Sequence, residues 1–76
     1  MDQKIRVQGH TFKYDELSQM YECRGRIVYD DYNDEIAEPS LWKATMELAQ
    51  RLLASGIKAH PQHSEKGWCE VQILEK

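Results

Sequence analysis

No stretch of this sequence stays apolar for the eighteen or so residues that a membrane span requires, and its opening, Met1-Asp2-Gln3-Lys4, holds no apolar core of the secretory-leader kind. A membrane is therefore not among the expected partners, and a cytoplasmic location is expected. Glycine (4) and proline (2) are scarce, which excludes collagenous and low-complexity classes. The two cysteines, Cys23 and Cys69, lie far apart and outside any CxxC spacing, which excludes a disulfide-dense scaffold, a zinc ribbon and a thioredoxin-type motif. A glycine-rich phosphate loop, a GxSxG elbow and an HExxH pair are all missing as well.

What remains is an ordinary globular composition. The 76 residues are 41% hydrophobic and 30% charged, enough for one compact core, so residues 1–76 are read as a single domain. Ten Lys and Arg against thirteen Asp and Glu give a net charge of −3, which opposes nucleic-acid binding by bulk attraction to phosphate. The acidity is local. Residues 29–38, Tyr-Asp-Asp-Tyr-Asn-Asp-Glu-Ile-Ala-Glu, hold five acids and no base, and subtracting those five from −3 leaves +2 on the rest of the chain.

Hydrophobic periodicity supplies the elements. Ile5 and Val7 alternate with Lys4, Arg6 and Gln8 as in a half-buried strand, Gly9-His10 reads as a tight turn, and Phe12 and Tyr14 continue in phase. Met20 to Tyr29 reads as one long strand, with Tyr21, Cys23, Gly25, Ile27 and Tyr29 in one phase. Gly25 inside it signals a bulge or the close approach of another element. A helix is predicted from Pro39 or Ser40 to Ser55 and stopped by Gly56. Its apolar arc takes in Leu41, Trp42, Thr45, Met46, Leu48, Ala49, Leu52 and Leu53, opposite Lys43, Glu47, Gln50 and Arg51. Ile57 and Ala59, then a polar turn over residues 61–67, then Cys69, Val71 and Ile73 close the chain as a hairpin. The predicted fold is α+β, a two-layer sandwich: an antiparallel sheet (β-β-β-α-β-β) with one helix packed on one face.

Chemistry-bearing residues are few. His60 and His63 with Cys69 and Cys23 can be drawn as zinc ligands, but Pro61 lies between the histidines and both cysteines fall in the core phase. Asp31, Asn33 and Glu35 alternate like the first ligands of a calcium loop, yet Ile36 occupies the position that demands glycine. Pairing Cys23 or Cys69 with His10, His60 or His63 is the only route to an activated nucleophile, and no spacing selects one pair. No catalytic residue, metal or cofactor is therefore assigned, and the protein is not expected to be an enzyme.

The acidic decapeptide is the leading feature. A plain solvated connection ahead of the helix explains its acids but not its tyrosines, whereas an interface gains a large rigid contact from each ring. Tyr29, Asp30, Asp31, Tyr32, Asp34, Glu35 and Glu38 are accordingly the expected partner-binding residues, facing a basic groove on another protein. The alternative is a small nucleic-acid-binding module. It would use a basic stripe of Lys4, Arg6, Lys13, Arg24 and Arg26 on the exposed sheet face, with Phe12 or Tyr14 nearby. In size, acidity and lack of a catalytic motif the chain resembles the broad class of small phage-encoded inhibitors of bacterial machinery, anti-CRISPR proteins among them. That resemblance implies a non-enzymatic inhibitor of nucleic-acid-handling machinery and assigns no residue.

Overall fold

The computed structural model describes residues 2–75. Its elements are β1 (Lys4–Val7), β2 (His10–Asp15), β3 (Met20–Arg24), β4 (Ile27–Tyr29), β5 (Glu35–Ala37), α1 (Pro39–Ala54), β6 (Lys58–His63) and β7 (Trp68–Glu75). A five-stranded antiparallel sheet runs in the order β1-β2-β3-β7-β6, and β4 pairs with β5 in a separate two-stranded ribbon. The α+β layout with one helix on one face of an antiparallel sheet is as expected. The element order differs, because the long third strand is divided and its second half founds the ribbon.

The division occurs at Gly25. The β3–β7 ladder continues as far as the Gly25 amide, which donates to the Gly67 carbonyl at 2.9 Å. At that point a Cβ on Gly25 would sit 2.8 Å from Leu41 Cδ2, and a Cβ on Gly67 would sit 2.7 Å from the Gly25 carbonyl oxygen. Two backbones and the first turn of the helix therefore meet where side chains have no room. The close approach anticipated at Gly25 is real. Beyond it the chain leaves the sheet, so Ile27 and Tyr29 do not continue the inward phase of Tyr21 and Cys23.

Pro39 occupies the first helical position, where its missing N–H costs nothing, and Glu38 is the N-cap residue without a side-chain capping bond. Ser40 thus lies inside the helix. The C-terminus is a Schellman motif: Ile57 N–H bonds the Leu52 carbonyl at 2.9 Å, Gly56 N–H bonds that of Leu53 at 3.0 Å, and Gly56 adopts φ +85°. The first turn of the chain is Gln8-Gly9, with positive φ at both, one residue earlier than Gly9-His10. The last hairpin is also tighter than its composition suggests. β6 extends through Pro61 to His63, and only residues 64–67 turn. Proline is tolerated there because β6 is an edge strand.

The core lies between α1 and the five-stranded sheet. Leu41, Ala44, Leu48, Ala49 and Leu52 from the helix pack with Val7, Phe12, Tyr21, Cys69, Val71 and Ile73 from the strands. Thr45 is fully buried as well and donates its Oγ1 hydrogen to the Leu41 carbonyl at 2.7 Å, so the hydroxyl does not go unsatisfied. Met46 and Leu53 do not belong to the buried arc. They stand exposed on the helix flank, whereas Ala44 takes a core position. The sheet ends at β6 and leaves that flank uncovered.

Removing buried methyl groups costs transfer energy plus a cavity term. Leu48→Ala and Leu52→Ala should each lower unfolding free energy by about 2–5 kcal/mol, while Lys43→Ala should cost under about 0.5 kcal/mol. Urea titration reads the difference, and equal losses at all three positions would mean that the helix presents another face to the sheet.

Candidate functional site

The acidic decapeptide is a β-hairpin rather than an open connection. Val28 opposes Ile36 and Tyr29 opposes Glu35 across the ribbon. The turn closes with Asn33 N–H donating to the Asp30 carbonyl at 3.0 Å and Asp30 N–H to the Asp34 carbonyl at 3.1 Å. Asn33 takes φ +64°, a left-handed conformation that its short amide side chain tolerates. A type I turn followed by a left-handed residue is the usual way to close a three-residue hairpin loop. The Asp30 carboxylate locks it further, because Oδ1 accepts the Tyr32 and Asp34 amides, each at 2.9 Å.

This geometry holds the two tyrosines outward. Tyr29 is 62% exposed and Tyr32 87%, so neither ring serves the core. Asp31, Asp34 and Glu35 are exposed too, and Asp30 is half-buried through its turn bonds. Among the described residues no ion pair involves any of these four acids. Glu38 stands apart from them. Its carboxylate Oε2 accepts from Arg26 Nε at 3.2 Å, its side chain is only 18% exposed, and its Cγ lies against Gly25. It tethers the start of the ribbon to the start of the helix. The structure therefore gathers Tyr29, Asp30, Asp31, Tyr32, Asp34 and Glu35 on one hairpin and assigns Glu38 to its base.

The basic stripe is shorter than expected. Lys4 opposes Lys13 directly, and Arg6 and Arg24 lie on the same outer face, but Arg26 has left the sheet to pair with Glu38. Glu22 opposes Lys13 and Glu70 opposes Glu22, so two carboxylates interrupt the face. Partial desolvation, with the charges of Asp15 and then Glu70 behind it, raises the Glu22 carboxyl above its ordinary range. Phe12 and Tyr14 are not near this stripe. They point into the helix side, where Phe12 is fully buried and the Tyr14 ring packs on Tyr21 at 5.0 Å. The aromatic on the outer face is Trp68, opposite Arg24, which composition alone did not single out. Its alternation with Cys69 was the available signal.

The histidines and cysteines also separate. His60 opposes Gln72 and His63 opposes Cys69, three positions apart on one strand and hence on opposite faces. His63 meets Trp42 edge-on at 5.0 Å. Among the described residues no three His, Cys, Asp or Glu side chains converge as a metal cage. Cys23 and Cys69 are free thiols and cross-strand neighbours on the helix side. Burial pushes both above the ordinary thiol range. The Thr11 backbone beside Cys23 and the Thr45 side chain beside Cys69 lower the two thiols by less than burial raises them. No described helix is long and apolar enough to cross a membrane.

No family model matches this chain, no curated protein matches it, and no solved structure matches it. Functional assignment rests on its own geometry.

The thiols give a direct check on that geometry. A raised thiol pKa leaves less thiolate at a given pH, so native Cys23 and Cys69 should react slowly with a disulfide reagent and accelerate only at higher pH than a free thiol does. Cys69, fully buried, should be the slower. Fast modification of both in the native state at neutral pH would contradict the packing of β3 and β7 against the helix.

Proposed function

We propose that the protein is a non-enzymatic interaction protein that presents the Asp30–Asp34 hairpin turn, with Tyr29 and Glu35 at its flanks, to a basic surface on a protein partner. The observation that carries this reading is the pair of rings. A hairpin braced by two side-chain and two main-chain hydrogen bonds holds Tyr29 and Tyr32 in solvent beside four carboxylates that form no ion pair among the described residues. Large aromatic contacts on a pre-ordered turn lose little conformational entropy on binding, and uncompensated carboxylates steer a cationic surface toward them. We further place that surface on nucleic-acid-handling machinery in the cytoplasm, the kind of target blocked by the small phage-type inhibitors, such as anti-CRISPR proteins, that the chain resembles in profile.

A nucleic-acid-binding module is the second reading, favoured by the Lys4–Lys13 pair with Arg6, Arg24 and the outward Trp68. Glu22 and Glu70 across the same face weigh against it, since carboxylates repel a phosphate backbone.

Affinity capture from the native host, run with variants side by side, tests the choice. Proteins retained by the wild type should be lost when Asp30, Asp31 and Asp34 are changed to Asn and Glu35 to Gln, and their retention should weaken with salt. Tyr32→Ala should speed dissociation, with a loss of roughly 1–3 kcal/mol. Retention that survives the quadruple change but disappears with Arg24→Ala, or on nuclease treatment, would replace the acidic-hairpin reading with the nucleic-acid one.

A further inference from the structure

Beside the hairpin lies a concave apolar site that its acidic turn alone does not explain. Ile36 and Ala37 from β5, Pro39 and Trp42 from the helix, and His63 from the edge strand β6 line a cavity of about 190 Å³. It forms where three elements meet, and the edge-on contact between Trp42 and His63 fixes one wall. Met46, one helical turn on from Trp42 and exposed, continues the apolar rim along the helix flank.

Size and charge together select the occupant. The cavity is below the roughly 300 Å³ at which small-molecule sites begin, so it suits a single apolar side chain. Glu35 and Asp34 precede the wall residue Ile36 by one and two positions, within about 7 Å along an extended strand. A chain that places an apolar residue in the cavity and runs on along β5 passes carboxylates that carry no ion pair among the described residues. A second copy of this protein is a poor match, because its own hairpin would bring the same negative charge.

We infer that the Ile36–Trp42–His63 cavity is the anchor socket of the interface, taking one leucine-like side chain from a partner segment whose flanking residues are Lys and Arg. The inference rests on the acidic-hairpin reading and adds the position that supplies selectivity: the carboxylates attract any basic segment, and the socket distinguishes those with an apolar residue at the right place. Desolvation of one buried side chain then sets the dissociation rate.

The test uses a synthetic peptide with one leucine flanked on each side by Lys-Arg-Lys, and a second peptide with alanine in place of the leucine. Both are titrated into the isotope-labelled full chain at low ionic strength. Trp42 and Trp68 are the two tryptophans of the chain, so their indole N–H signals report the socket and the opposite sheet face separately. The leucine peptide should bind about tenfold or more tightly than the alanine one and shift the Trp42 signal while leaving Trp68 in place. Neutralising Asp30, Asp31, Asp34 and Glu35 should weaken both peptides and preserve their ratio. Equal binding of the two peptides, with neutralisation still weakening both, overturns the socket and leaves the acidic hairpin standing. Binding indifferent to neutralisation, or no binding of either peptide, overturns both. A dimer of the free chain that buries Trp42 would assign the cavity to a second copy and overturn the inference as well.

Discussion

The contact on which the rest of the structure depends is the crossing of Gly25 with Gly67 beneath Leu41. Leu41 is fully buried, so it has nowhere to swing, and a side chain at Gly25 would meet it at 2.8 Å. Glycine at both crossing positions lets the sheet, the departing chain and the helix start share one point. Because the chain leaves the sheet there, Ile27–Tyr29 is free to pair with Glu35–Ala37, and the ribbon so formed carries the acidic turn. Arg26 and Glu38, joined at 3.2 Å, close the base of the ribbon on the far side of the crossing. With the Arg26 side chain almost fully exposed, that pair orients more than it stabilises.

The proposed interface follows from the same arrangement. In a single long strand, Tyr29 would have lain in phase with Tyr21 and Cys23 and would have been drawn toward the core. Divided at Gly25, the chain instead projects both tyrosines into water and brings Ile36 to the wall of the cavity that Trp42 and His63 also line. An exposed charged turn and an apolar socket become neighbours by topology. The proposed interface thus combines a long-range steering element with a short-range selective one, a division of labour common at protein–protein interfaces.

Much of the fold was legible in the sequence because simple periodicities governed it. The alternation of Ile5 with Val7 and of Cys69, Val71 and Ile73, together with Pro39 and Gly56 bracketing the helix, all express local rules that the packing obeys. The ribbon was not legible in that way. Each of its strands has only three residues, with Ile27 opposite Ala37 and Val28 opposite Ile36, too few for an alternation to register, and the acid-rich turn between them has the composition of an ordinary loop. Gly25 carried the one warning, but a glycine in a strand signals a disturbance and not its direction. Met46 and Leu53 misled for a different reason: helical periodicity places them beside the buried arc, whereas the width of the sheet decides how much of that arc is covered. Glu38 belongs by composition to the acidic run, and only the position of Arg26 in space removes it from the patch.

The glycine crossing builds the hairpin, and amide hydrogen exchange on Gly25→Ala is the decisive check. Alternation of the ladder from the Asp30–Asp34 bond makes Val28 and Ile36 the hydrogen-bonded amides of the ribbon. In the wild type these should be protected. In the variant they should exchange much faster, while amides at the β1–β2 and β2–β3 pairings, remote from the crossing, keep most of their protection. Unchanged protection at Val28 and Ile36 in Gly25→Ala, or their complete lack of protection in the wild type, would show that the hairpin does not depend on the crossing.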